Sequence, residues 1–383
     1  MRPETQVEQE RHASYLELFF DLVFVFAVTQ VTALALADPS AGGLARAALV
    51  LGLLWWTWGG YAWLTNAIDI ENVAARVLVM GAMAGTFFMA LAVPRAYDVD
   101  GAWFVVPYFV VRVMHVAIYT WGLRGDPDHQ RAVKKLAPYF LVAPAIALAG
   151  GFVEDETIRT SIWVGSLALD LGGALTVGSA GFRVSAAHFA ERYGLFVIIA
   201  LGESIVAIGV GAAGLEHDLT FALAVVIAFA GVAALWWSHF DFSAVAAERA
   251  LRRADPVRRA PLARDVYSYF HYPAILGIVF YAVAAEKTVA HPDEPLSGGG
   301  RAALGLGIAL FLLTAILGRF RVIRRIAWER LAGGVAAIVA VVLFSGLDAM
   351  WLLALVVALL VAVTAAESAR LREIRLRLRN EAD

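Results

Sequence analysis

No cysteine occurs among the 383 residues, so disulfides, thiol nucleophiles and thiolate metal sites are excluded. Lysine is almost missing as well: only Lys134, Lys135 and Lys287 interrupt a basic set that is otherwise arginine. Charge is scarce, at 17% of residues, where an ordinary soluble domain carries about 25%. The chain has no G-x-S-x-G, no H-E-x-x-H, no Walker A loop and no haem-attachment motif. No cofactor and no metal are expected. An intramembrane enzyme would need a nucleophile–base pair or a metal cluster at one depth. The sequence offers neither, so no enzymatic activity is expected.

What the chain has instead is apolar length. It is 61% hydrophobic with a mean hydropathy of +0.71. Apolar runs of about 20 residues recur along it, each long enough to cross a bilayer as a helix. Twelve are predicted, at 14–37, 44–65, 73–94, 102–123, 133–151, 158–180, 191–212, 218–240, 267–289, 301–319, 327–345 and 348–367. The breaks between them, such as "ADPSAGG", "RGDPDHQR", "EDET", "GLEHD" and "HPDEPLSGGGR", join turn formers to charge, which hydrocarbon does not tolerate. The fold class is an all-α polytopic transmembrane bundle. Two acids inside the first run, after an acidic leader, argue against a cleaved signal peptide ending at 35–37.

The predicted organisation is a leader (1–13), two six-helix halves (14–183 and 184–367) and a basic amphipathic tail (368–383). "LWW" stands in span 2 and again in span 8, a weak sign of a tandem six-plus-six repeat. Of the 31 Lys and Arg residues, 25 fall on the side holding both termini and five on the other, with Arg112 inside a span. By the positive-inside rule both termini are cytoplasmic. The Ala- and Arg-rich composition fits a GC-rich bacterial genome, hence a bacterial cytoplasmic membrane. The tail sets Leu371, Ile374 and Leu378 on one stripe among arginines. It reads either as an anionic-lipid contact or as a plain positive-inside anchor. The loop 241–266 is also basic but lacks the aromatic interleaving of a nucleic-acid surface, so no nucleic acid is expected. The bilayer is the partner, and a homo-oligomer is compatible with the sequence.

Polar residues inside spans carry the functional question, because a charge near the bilayer centre costs about 3 kcal/mol on an insertion scale. Arg112, Asp170 and Glu203 each lie ten to twelve residues into their spans, and His115 follows Arg112 by three. Equal depth suggests one buried polar site, read either as a solute pathway or as an ion-pair staple. Gly202 and Gly209 suggest a small-residue face on span 7 for close helix approach. Glu203 is the candidate for proton uptake, since arginine keeps its charge. Ser204 is its neighbour. A second set gathers at the cytoplasmic mouth: Glu17 and Asp21 on one face of span 1, Arg192 opening span 7, Asp241 after span 8 and His271 opening span 9. Here too a mouth and a set of interfacial charges are both open readings. Trp63, Trp103, Trp121 and Trp328 fit interfacial belts. His129 and His217 read as exposed loop residues.

"ELFFDLVFVFAVTQ" (17–30), "ERYGLFVIIALGESIVAIG" (191–209), "WWSHFD" (236–241) and "HYPAILGIV" (271–279) together resemble the bacterial low temperature requirement A (LtrA) family, over residues 10 to about 365. The resemblance implies that Glu17, Asp21, Glu191, Arg192, Gly202, Glu203, Ser204, Asp241, His271 and Pro273 lie in the family's characteristic segments. The family name records growth in the cold and implies no molecular activity. The first stretch is also similar to the first helix of tandem-repeat potassium channels with an F-S-D motif. Here Phe20-Asp21 lacks the serine. The expected function is a transporter or channel-like protein for protons or small cations or solutes, its path running from the Glu17/Asp21/His271 mouth to Glu203. The alternative is a membrane scaffold or sensor whose buried charges are structural.

The basic bias predicts a topology. Reporter fusions after residues 37, 97, 154, 215, 293 and 347 will report the periplasm, and a fusion at residue 383 the cytoplasm. A periplasmic C-terminus would overturn the span count.

Overall fold

The computed structural model describes residues 12–370, apart from 69, 71, 99 and 180. These residues form α1 (Tyr15–Ala37), α2 (Ala41–Ala67), α3 (Val73–Ala92), α4 (Gly101–Gly122), α5 (Pro127–Gly150), α6 (Glu156–Val177), α7 (Ala186–Gly211), α8 (Leu219–Ser238), α9 (Ala244–Arg253), α10 (Pro256–Ala263), α11 (His271–Ala290), α12 (Gly298–Ile323), α13 (Trp328–Leu343) and α14 (Ala349–Arg370). Among the described residues there is no strand, only an isolated bridge between Pro295 and Asp348. Every predicted span has its helix; α9 and α10 are additional and short. Eleven helices are long and apolar enough to cross a membrane. The twelfth, α13, has 16 residues. The tail beyond residue 370 and the leader before residue 12 lie outside the described residues.

The polar breaks do more than interrupt the apolar runs: each supplies the cap of the next helix. Ser40, Asp126, Asp155, Asp218 and Ser297 accept the first free backbone N–H groups of α2, α5, α6, α8 and α12. Asp126 is followed by Pro127 at the first helical position, where a missing N–H costs nothing. That pair starts α5 six residues before the expected 133, because a capped helix can extend past the apolar stretch. Ser14 and Glu17 form a reciprocal capping box at the start of α1.

Contacts at the helix ends sort the chain into two faces. His12 and Ala13 meet Glu191 at the start of α7. Asn66, near the end of α2, bonds Arg183 and Ser185 just ahead of α7. Arg330, opening α13, reaches Glu367 near the end of α14 and the Ser238 carbonyl ending α8. The start of α1 and the end of α14 therefore share one face, here termed the near face. On the far face Arg46 joins Asp38 and Glu156, and Arg159 fastens the α3–α4 turn through the Ala96 and Asp98 carbonyls.

Within the first six membrane helices α1 packs on α2 and α3, then α3 on α4, α4 on α5, α5 on α6, and α6 returns to α2. In the second six α7 packs on α8 and α11, then α11 on α12, α12 on α13, α13 on α14, and α14 returns to α8. Helix α2 is the most buried of all. Outward faces carry apolar side chains such as Phe87, Phe88, Phe229 and Val342, a surface suited to lipid rather than water.

Two expectations are corrected here. The segment 241–266 is not a plain loop. A π-helical turn at His239–Ser243 runs into α9, and another at Arg264–Tyr269 leads out of α10. Gly202 and Gly209 do not serve helix approach, since a Cβ at either would meet nothing within 4 Å. Close approach occurs between α11 and α12 instead. A Cβ on Gly277 would lie 2.5 Å from the Gly307 carbonyl oxygen and 2.8 Å from the Phe311 nitrogen. Backbone cannot yield as a side chain can. Gly277→Ala is therefore expected to destabilise by about 1–3 kcal/mol, read as a lower unfolding temperature in detergent, with Gly209→Ala unchanged. Equal stability of the two variants would refute the close approach.

Candidate functional site

On the near face, α1, α2 and α7 share a closed charge cluster. Glu17 and Asp21 are one turn apart on α1; His188 and Arg192 are one turn apart on α7. Arg192 Nη2 donates to Asp21 Oδ1 at 2.8 Å, and its Nη1 lies 3.0 Å from Glu17 Oε1. His188 Nε2 is 3.0 Å from the same Glu17 oxygen. Trp58 Nε1 donates to Asp21 Oδ1 at 2.8 Å. All four ionisable side chains are buried. The acids do turn into the bundle, but their histidine is His188, not His271. A spacing of four from Arg192 was the available signal for it.

Deeper in the first half, Arg112 Nη2 donates to Asp170 Oδ2 at 2.6 Å, with both side chains at most 1% exposed. Arg112 also lies over the Phe140 ring, 5.0 Å from its centroid. The pair leaves Arg112 Nε and Asp170 Oδ1 without a partner, and the buried His115 ring has at most a poorly aligned hydrogen bond, to the Gly60 backbone. Gly60 makes room for this group, since a Cβ there would lie 3.1 Å from His115 Cε1 and 3.5 Å from Arg112 Nη1.

Glu203 stands apart. It takes a short hydrogen bond from Thr29 Oγ1 on α1 and makes no ion pair with a described residue. Helix rise puts it about 12 Å from the far end of α7, whereas Asp170 is about 21 Å from the far end of α6. The three midspan charges thus form two sites at different depths. Residue counts taken from span edges could not show this, because α7 starts five residues before the predicted span. Ser204 is buried, with its hydroxyl 3.5 Å from the Ile278 carbonyl. Glu286 of α11, which the sequence did not single out, also carries a buried carboxylate oxygen without a partner.

The remaining candidates lie around the π-helical turns. Asp241 is half-buried and accepts from Ser368 at 3.4 Å. His271 Nδ1 is 2.9 Å from the Val266 carbonyl, and its ring stacks on Tyr267. Ser268, between them, takes hydrogen bonds from Trp63 Nε1 through its hydroxyl and from Trp55 Nε1 through its carbonyl. Trp63 is therefore an interior residue and not part of an interfacial belt. His129 is likewise buried, with Nε2 accepting from the Arg183 N–H at 3.4 Å.

These parts meet at a cavity of about 60 Å³ between α2, α4, α5, α6, the α6–α7 link and the second π-helical turn. Trp55, Trp56, Trp63, Tyr119, Phe140 and Phe182 supply its rings; Arg112, His115, Ser179, Arg264 and Ser268 supply its polar groups. Of the predicted set, only Arg112 and His115 line it. Glu17, Asp21, Asp170, Arg192, Glu203, Ser204, Asp241 and His271 do not. Among the described residues no group of three or more His, Asp or Glu side chains could hold a metal.

Residues 12–365 match the family model described as "Bacterial low temperature requirement A protein (LtrA)". The chain is 32% identical over 295 residues to the protein RA0937 of Rhizobium meliloti (strain 1021), itself described as uncharacterized; the match covers 74% of this chain and 71% of the relative. No solved structure matches.

The Arg112–Asp170 pair gives a direct test. Arg112→Met strands a buried carboxylate, which costs about 3–5 kcal/mol in soluble proteins and less where a membrane offers other partners. The Arg112→Met/Asp170→Leu double variant will unfold at a higher temperature in detergent than Arg112→Met alone. Additive losses would exclude the pairing.

Proposed function

Since this chain belongs to the bacterial low temperature requirement A family, whose name gives no activity, we propose from its site that it is a non-enzymatic transport or channel-like membrane protein. The near face is cytoplasmic in this proposal, and the membrane is the bacterial cytoplasmic one. One observation carries it: an aromatic cavity between the first half and the second π-helical turn is lined by Arg112, whose partner is the buried Asp170, and by His115. A bilayer protein that needed only a staple would be expected to fill that space. Glu203, separate from the arginine sites and held by Thr29 and Thr32 of α1, is the group for proton exchange coupled to movement of a small solute. The shared neighbour order of the two six-helix sets supports a tandem duplication, and with it a rocking of one half against the other.

A second reading is favoured by a different observation. The Glu17–Asp21–His188–Arg192 cluster does not line the aromatic cavity and is tied to three helices at once, as in a scaffold or sensor with structural charges. Arg252, Arg253 and Arg258, exposed on α9 and α10, would then meet anionic lipid, and the chain would act as part of an assembly, a homo-oligomer included.

Flux in proteoliposomes separates the two. Purified protein will move a small solute or protons above the rate of empty vesicles. Asp170→Asn will cut that rate at least tenfold while the protein stays folded, and Glu203→Gln will remove its dependence on pH between 5 and 8. Flux equal to empty vesicles for all ions and small solutes tried would leave the scaffold reading.

A further inference from the structure

The wall of the aromatic cavity is almost wholly apolar. The chain achieves this by spending or covering the polar atoms around it. Trp55 and Trp63 give their N–H groups to Ser268, and the Tyr119 hydroxyl goes to the Trp63 carbonyl. Arg264 is occupied by Asp265 and by the Ala174 carbonyl. Arg112 Nε, both ring nitrogens of His115 and the Ser179 hydroxyl have almost no accessible surface, so these residues meet the space mostly through carbon. A water held here would need about two to four polar partners, and apolar cavities that cannot supply them stay dry. An ion entering would give up its hydration to a wall that returns almost no hydrogen bond.

We propose that this cavity is a binding site for a small, slender, uncharged apolar molecule, and that such a guest holds the site dry and closed. An apolar space of this kind is a constriction that water and ions cross only after wetting it. A guest that fills it keeps them out. The closing role rests on the transport reading; binding itself requires no flux. Size limits the guest. The space is about 60 Å³, whereas a cavity of about 150 Å³ holds benzene, so a molecule of about two to four heavy atoms fits. Shape limits it too. The lining residues of α2 run from Trp55 to Trp63, about 12 Å of helix rise, so the volume is drawn out into a slot beside the glycines Gly59 and Gly60. Trp63, Gly178 and Arg264 are half-buried at its near-face end, the side from which a guest enters.

The test is binding by the full chain in detergent, with no gradient present, so that its failure and a failure of transport remain distinct. The probe is bromoethane, which has three heavy atoms and a bromine that quenches tryptophan at contact; Trp55, Trp56 and Trp63 line the space. Partition into the micelle gives a linear background. Above it a saturable quench is expected with bromoethane, at least tenfold weaker with bromobenzene, and absent with the charged quenchers bromide and caesium. Ala174→Leu and Ser179→Leu each put carbon into the slot and will weaken the saturable quench at least fivefold, with Gly209→Ala matching the wild type. In proteoliposomes that show flux, saturating bromoethane will lower it at least threefold in the wild type and leave Ala174→Leu unchanged. A purely linear quench by bromoethane would overturn the proposal. So would saturation by bromide or caesium, equal strength for bromobenzene, or saturation unaltered in both filled variants. Flux unchanged at saturating bromoethane would overturn the closing role.

Discussion

Arg192 is the residue on which the assembly turns. Its guanidinium sits between two carboxylates of α1, beside the Trp58 ring of α2, on a helix that begins the second half. Buried in the bundle, none of these groups can turn to water instead. Each therefore fixes the rotation and the height of its own helix. Helices α1, α2 and α7 are also those through which the two six-helix sets meet, since α1 and α2 both pack on α7 and on α11. Removing one charge would leave several others buried without compensation, which is why such clusters are costly to break even where they add little net stability.

That constraint explains the division of labour among the buried charges. The near-face cluster ties α1, α2 and α7 together, with Asp21 Oδ2, His188 Nδ1 and two Arg192 nitrogens left without a hydrogen-bond partner. The Arg112–Asp170 pair has a similar share of unpartnered atoms but stands beside a cavity. It makes one direct hydrogen bond, and Gly60 keeps the neighbouring wall back from His115. A cavity persists where packing would have been easy to achieve with one larger residue.

Much of this was legible beforehand. Hydropathy located all twelve long helices, because apolar length is what a bilayer selects, and the capping residues were visible as the polar breaks. Glu17 and Asp21 faced inward, as two acids one turn apart at the start of an apolar helix should. Pairing across helices was not legible. Arg112 had two acids within plausible reach, and only the rotation of α6 and α7 decides for Asp170. Gly202 and Gly209 looked like a packing face because glycine marks either close approach or open space, and sequence does not distinguish them. The cavity was invisible for a similar reason. It is assembled from side chains of four helices, a link and a π-helical turn, whose common location follows from packing alone.

Helix α13 has a consequence of its own. Its 16 residues rise about 24 Å, some 6 Å less than a hydrocarbon core of about 30 Å. Its two neighbours, α12 and α14, have 26 and 22 residues and span that thickness fully. Arg324, Arg325 and Trp328 stand exposed at its near end, placed for their polar groups to reach up to the headgroups. If α13 crosses the bilayer, the lipid beside it is pinched, at a cost of fractions of a kcal/mol per ångström of mismatch. Longer or more ordered acyl chains would then load the α13 edge of the second half first.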